Sequence, residues 1–240
     1  MLVATILVSV TVIIASLLGA RRWAAHTPPK LWARLWCRIM FVTVTLDGRE
    51  NIDTRTSYVF VANHQGAYDI FAIYGYLPHG FLWMMKKSLF NIPFVGWACH
   101  AAGHIKVDRS SAKQVKHTMD VAKSRLKDGT SIVVFPEGSR TWDGRMRPFK
   151  RGAFKLAADF QLPIVPITID GAFDVMPRSG YSINPGTIRL TIHKPIHLDG
   201  THEGLAEAMR QSYSDIQSAL PAHLRDAATD STAPASETEK

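Results

Sequence analysis

Residues 57–69 read Ser57-Tyr58-Val59-Phe60-Val61-Ala62-Asn63-His64-Gln65-Gly66-Ala67-Tyr68-Asp69, and this stretch decides the fold. Its first six residues, Ser57–Ala62, are largely β-branched or aromatic and carry no charge, the composition of a buried strand. Asn63 to Gln65 interrupt the apolar run, and Gly66–Tyr76 reads as a helix. A strand that feeds through a short turn into a helix is the repeating unit of an α/β sheet.

The same alternation extends in both directions. Val42–Leu46, Phe81–Met85, Ser131–Phe135 and Ile164–Ile169 are apolar runs of strand length, and Thr187–His193 alternates as a late strand. Ser110–Lys127 is a helix with Ser110 or Ser111 as its cap, Val115, Met119, Ala122 and Leu126 on one face, and Asp128-Gly129 as its stop. Gly152–Phe160 and Glu203–Leu220 complete the helical set. The pattern predicts one α/β domain over residues 42–225, a mostly parallel sheet flanked by helices, with no internal repeat and no dividing linker. A chain of 240 residues has room for that domain and a short appendage. Residues 226–240, rich in Ala, Ser, Thr, Asp and Glu, cannot bury a core and read as a disordered tail.

Residues 1–41 differ in kind. Residues 2–20 contain no charge and would extend ~28 Å as a helix, close to the ~30 Å of a bilayer's hydrocarbon. No basic residue precedes the apolar run, which argues against a cleaved signal peptide. Lys30 to Phe41 reads as an amphipathic helix with Trp32 and Trp36 as interfacial anchors, or else as an ordinary helix packed on the core. The expectation is an N-terminal membrane-anchoring helix pair. Arg21, Arg22, Lys30, Arg34 and Arg38 follow the apolar run, placing the domain on the cytoplasmic side of the inner (cytoplasmic) membrane.

The formal net charge of +8 is clustered: residues 106–155 hold thirteen Lys or Arg against five Asp or Glu. Such a surplus attracts polyanions. No nucleic-acid motif accompanies it, so anionic lipid or a phosphorylated substrate is the better match. Cys37 and Cys99 match no redox or metal spacing, which suits a reducing compartment. His100 and His104 stand four apart, but no third ligand lies near them, so no metal site is expected.

His64 sits at the end of a sheet strand, where reacting groups commonly lie. Asp69, five residues on, falls in the first turn of the following helix. From there its carboxylate can accept the imidazole Nδ1–H, set the tautomer and leave Nε2 free to take a proton. Taken alone, the spacing favours a surface histidine beside a helix-capping aspartate, because chance matches are common. A second segment, Phe135-Pro136-Glu137-Gly138-Ser139-Arg140, follows another strand, and its Pro and Gly favour a tight turn presenting Glu137 and Arg140. Arg145, Arg147, Lys150 and Arg151 follow, one or two of which are suited to meet a phosphate. In Gly103 to Arg109, Arg109 is the natural anion ligand.

Together with Val165-Pro166-Ile167-Thr168, these segments resemble, in this order, the motifs of glycerolipid acyltransferases of the lysophosphatidate acyltransferase type. The resemblance covers about residues 57–170. NHQGAYD matches the family's N-H-x4-D, and FPEGSR its F-P-E-G-[ST]-R, with Ser139 where Thr is more usual. Lys106 departs from the family pattern, which has an apolar residue there. The resemblance implies transfer of a fatty acyl group from acyl-CoA or acyl carrier protein to the sn-2 hydroxyl of a lysophospholipid at a membrane, lysophosphatidate being the default acceptor. It implies His64 as general base and Asp69 as its orienter. Arg109, Glu137, Gly138, Ser139, Arg140 and Lys106 are then the acceptor-binding set. A thioester is already activated, so a base acting on the hydroxyl suffices, with no cofactor, metal or nucleic-acid partner. The G-x-S-x-G elbow of a serine esterase is absent.

Overall fold

The computed structural model describes residues 2–108, 110–126, 129–180, 182–199 and 201–225. In chain order the helices are α1 (Leu2–Leu17), α2 (Arg21–Ile39), α3 (Tyr68–Tyr76), α4 (Val95–Ala102), α5 (Ala112–Arg125), α6 (Gly152–Asp159), α7 (Ala172–Val175) and α8 (His202–Ser218). The strands are β1 (Val42–Asp47), β2 (Val59–Ala62), β3 (Phe81–Lys86), β4 (Ile105–Val107), β5 (Ser131–Val134), β6 (Ile164–Asp170) and β7 (Gly186–Ile192). They form one seven-stranded sheet in the order β1-β7-β6-β2-β5-β3-β4. Every pairing is parallel except β6 with β7.

The apolar run of β2 is explained by its central position. Phe60 and Ala62 face a core shared with α2 and α3, while Val59 and Val61 face a second core built with α4, α5, α6 and α8. All four are fully buried. A strand covered on both faces has no side left for polar residues. Ser111 caps α5, its hydroxyl accepting from the Gln114 N–H at 3.3 Å. The expected tail at 226–240 lies outside the described residues.

Two expectations change. Residues 2–20 do not form one helix: α1 stops at Leu17, and Gly19, at φ +88°, lets the Ala20 N–H bond back to the Ala15 carbonyl. This is a left-handed helix stop, which glycine alone enters without cost. Sixteen residues rise only ~24 Å, and no helix among the described residues is long and apolar enough to cross a membrane. The second helix starts at Arg21, earlier than expected, and runs through Pro28 and Pro29. It packs on α1 and α3, while α1 also lies on α4. The short β4 and the helix α4 before it carry no readable sequence signal, because three and eight residues respectively are too few to show a period.

Candidate active site

The site forms where β2 ends. Asn63 replaces the next ladder pair with its side chain: Nδ2 donates to the Ile169 carbonyl (2.8 Å) and Oδ1 accepts the Ile169 N–H (2.7 Å). His64 follows, and Asp69 lies in the first turn of α3 with its side chain fully buried. Oδ2 of Asp69 accepts from His64 Nδ1 at 2.6 Å and from the Gly66 N–H at 3.0 Å. Because a carboxylate only accepts, Nδ1 carries the proton and Nε2 is left as the basic nitrogen. The first turn of α3 adds the positive end of a helix dipole, which favours the Asp69 anion. Gly66 is required here: a Cβ would stand 2.4 Å from the Ala172 carbonyl oxygen.

The imidazole is held from several sides. Its ring stacks on Phe135, with centroids 4.0 Å apart and planes 9° apart. The His64 carbonyl accepts the Thr141 N–H at 3.0 Å. The His64 N–H donates to Glu137 Oε1 at 2.8 Å, and the other carboxyl oxygen, Oε2, accepts the Arg147 N–H at 3.1 Å. Glu137 is buried, and that burial pushes its carboxyl up to about 8. The FPEGSR turn therefore stands behind the histidine and fixes its backbone. Gln65, donating to the Gly144 carbonyl at 3.1 Å, ties the same two loops together.

The His64 ring forms part of the wall of a cavity of about 1070 Å³. Its wall includes Phe135, Pro136, Gly138, Lys150 and Gly152, together with Tyr74, Trp83, Met84, Val115 and Met119. A cavity that mixes apolar side chains with a few polar and charged ones suits an amphiphile. Gly138 has φ +79°, and Lys150 Nζ lies only 2.6 Å from where its Cβ would be, so a side chain there would displace the lysine.

The other residues that the motifs single out divide. Ser139 accepts from Arg147 Nη1 at 2.6 Å, and the Arg140 carbonyl accepts from Arg178 Nη1 at 2.9 Å; neither Ser139 nor Arg140 lines the cavity. Lys106 is exposed on β4 and also lies outside the lining, so an acceptor contact there finds no support in the geometry. Strand alternation is the reason, since Val107 next to it turns to the cavity instead. Arg109 lies outside the described residues. His104 is a structural residue: its Nδ1 accepts the Trp83 N–H at 3.1 Å and its Nε2 meets the Tyr74 hydroxyl at 2.8 Å. Burial lowers it to about 3, so the ring is neutral. The described residues contain no cluster of three metal-ligating side chains.

Sequence reasoning passed over the cavity's own cations, Lys86 and Lys87, because neither sits in a recognisable motif. Lys87 is paired with Asp108 at 2.9 Å, and that hydrogen bond, with Ser110, holds the Asp108 carboxyl down at about 2. Lys150 lines the cavity with no anionic partner among the described residues.

A doubly covered, mostly parallel sheet that holds a His–Asp pair in the wall of a cavity fits an acyltransferase domain, and the Acyltransferase family model matches residues 43–170. A structure of the 1-acyl-sn-glycerophosphate acyltransferase PlsC from Thermotoga maritima aligns with a TM-score of 0.70 and 25% identity, covering 84% of this chain and 83% of that one. A 1-acyl-sn-glycerol-3-phosphate acyltransferase of Helicobacter pylori is 32% identical over 74% of this chain and 76% of its own length. One from Chlamydomonas reinhardtii is 34% identical over 88% of this chain and 62% of its own. A chloroplastic one from Arabidopsis thaliana is 37% identical over 74% and 50%. The chain belongs to the 1-acyl-sn-glycerol-3-phosphate acyltransferase family. It spans between half and just under two thirds of the length of several of the relatives it matches.

Proposed function

We propose that the protein transfers a fatty acyl group from a thioester, acyl-CoA or acyl carrier protein, to the sn-2 hydroxyl of lysophosphatidate, giving phosphatidate. The observation that carries this reading is the His64–Asp69 pair, 2.6 Å apart, with His64 in the wall of a largely apolar cavity that Lys150, without an anionic partner among the described residues, also lines. His64 Nε2 takes the hydroxyl proton as the oxygen attacks the thioester carbonyl. The tetrahedral intermediate expels the thiolate, which recovers the proton from the imidazolium, while buried Asp69 offsets the transient positive charge. Lys150 meets the acceptor phosphate, and this contact is what favours lysophosphatidate over an uncharged acceptor.

The N-terminal helices serve membrane attachment in this reading. Leu2, Val3, Leu7, Ile14, Leu17, Leu18, Leu31, Leu35 and Ile39 are exposed on α1, the turn after it and α2, an apolar surface that soluble monomers rarely show. With α1 only sixteen residues long, the pair lies in the headgroup layer rather than spanning it. The cytoplasmic face of the inner membrane fits the free thiols of Cys37 and Cys99.

The test is acyl transfer from labelled acyl-CoA and acyl carrier protein to a panel of lysolipids, using wild type and His64→Ala. Phosphatidate formation lost in the variant is expected. Equal transfer by both proteins, or none by wild type to any acceptor, would sink the reading. Ser139→Ala separates it from a serine esterase, which would lose all activity with that hydroxyl.

A further inference from the structure

A second apolar space lies beside the first. A groove of about 290 Å³ runs between α1 and α2, lined by Ala4, Val8, Trp23, Leu31 and Leu35, with Trp32 among its walls. Trp32 lines the catalytic cavity as well. Its indole is clamped, stacked on Phe71 with centroids 4.7 Å apart and donating Nε1–H to Thr5 Oγ1 at 3.2 Å. One side chain thus forms a wall common to the groove and the cavity that holds His64.

Resting on the acyl-transfer reading above, we propose that this groove binds the sn-1 hydrocarbon chain of the lysolipid acceptor, with Trp32 as the partition between acceptor chain and donor chain. Acylation of a lysolipid brings two hydrocarbon chains to one histidine. The donor chain carries the carbonyl under attack, so it occupies the catalytic cavity that His64 lines. The acceptor chain is attached one carbon away from the attacking hydroxyl and must leave the reaction centre in another direction. It belongs to a lipid arriving from a bilayer, and the groove is rimmed by Trp23, Leu31 and Leu35, all exposed on the face assigned to the membrane. The groove is therefore continuous with the acceptor's source, and it shares the wall residue Trp32 with the cavity that His64 lines.

The experiment uses monomeric, water-soluble lysophosphatidates of six to twelve carbons without vesicles, so that each methylene seated in the protein leaves water. Wild-type kcat/KM should climb steeply with acceptor chain length, by up to about fourfold per methylene fully withdrawn from water. Val8→Trp, which fills the groove, should cost about tenfold or more with the twelve-carbon acceptor and less than about twofold with the six-carbon one. Its dependence on donor chain length should not change. Leu35→Trp, on the exposed rim, repeats the test without burying a new ring inside the helix pair. Equal losses on both acceptors, no loss on either, or an altered donor profile would overturn the assignment. Wild-type protein photolabelled with a twelve-carbon lysophosphatidate bearing a terminal diazirine gives a reading free of any folding defect. Adducts at Val8, Leu31 or Leu35 support the groove, and adducts confined to Val115 and Met119 refute it. Failure of wild type to acylate any lysophosphatidate condemns the functional reading itself; normal transfer without the chain-selective loss condemns this inference alone.

Discussion

Replacing Glu137 with glutamine tests whether the FPEGSR turn holds the histidine or the acceptor. The Glu137 carboxyl accepts two backbone N–H groups, from His64 at 2.8 Å and Arg147 at 3.1 Å, one on each oxygen. Glutamine has a single acceptor oxygen, so one N–H loses its partner in a buried setting, at a cost of about 1–3 kcal/mol. For a domain of this size that lowers the melting temperature by roughly 2–12 °C. Burial raises the carboxyl from 4.5 to about 8, opposed by the two N–H bonds and assisted by nearby Asp69. The folded state therefore keeps a proton that the unfolded chain releases. Stability from this group is complete below about pH 4.5 and is lost as pH rises through about 8. Glutamine does not titrate, so the advantage of wild type over Glu137→Gln should be largest at about pH 4.5 and below and should fall steadily as pH rises towards 8. If the released N–H is that of His64, kcat falls by about 10–100-fold from misplacement of the base, while KM for the acceptor changes little. Melting curves across pH with steady-state kinetics at neutral pH read both. A tenfold rise in acceptor KM at unchanged kcat would make Glu137 an acceptor ligand, and parallel pH profiles for the two proteins would refute the burial argument.

Other outcomes follow from the same geometry. Asp69→Asn keeps the shape but removes the charge opposite the imidazolium, worth about 4 kcal/mol at ~4 Å and an effective dielectric near 20; kcat should fall about 10³-fold, and a loss under tenfold would deny Asp69 this role. Lys150→Ala should raise KM for lysophosphatidate about tenfold or more, with Lys150→Arg restoring part of it. Monoacylglycerol, which lacks the phosphate, should be used by Lys150→Ala as by wild type; equal effects on both acceptors would count against a phosphate contact. Gly66→Ala forces a Cβ to within 2.4 Å of the Ala172 carbonyl oxygen and 2.7 Å of the Met176 one, so the NHQGAYD turn must open. Thermal unfolding should show a loss of roughly 1–3 kcal/mol, as overpacking usually does, and activity should drop with it.

Much of the architecture was legible because it is local. The strand–turn–helix at 57–76 announces itself through an apolar run and a polar break with Gly66, and a turn entering a helix is what best closes the five-residue His–Asp spacing. The sheet's parallel character follows from alternating strand and helix runs. The late antiparallel pairing of β7 with β6 was not legible, because strand direction depends on which neighbour a strand finds. Gly19 carried a stop signal for α1 that hydropathy alone overrode, and a count of uncharged residues consequently overestimated the helix.

What the sequence determined by itself is the pair His64 and Asp69, the strand that presents them, and the apolar N-terminus, all encoded within a few consecutive residues. What only the tertiary structure decided is the surroundings of that pair: Glu137 behind the His64 backbone, Lys150 over Gly138, and Trp32 between two apolar spaces. Those contacts join residues from twelve to more than seventy positions apart. They arise from sheet order and helix packing, so no local pattern of residue types encodes them.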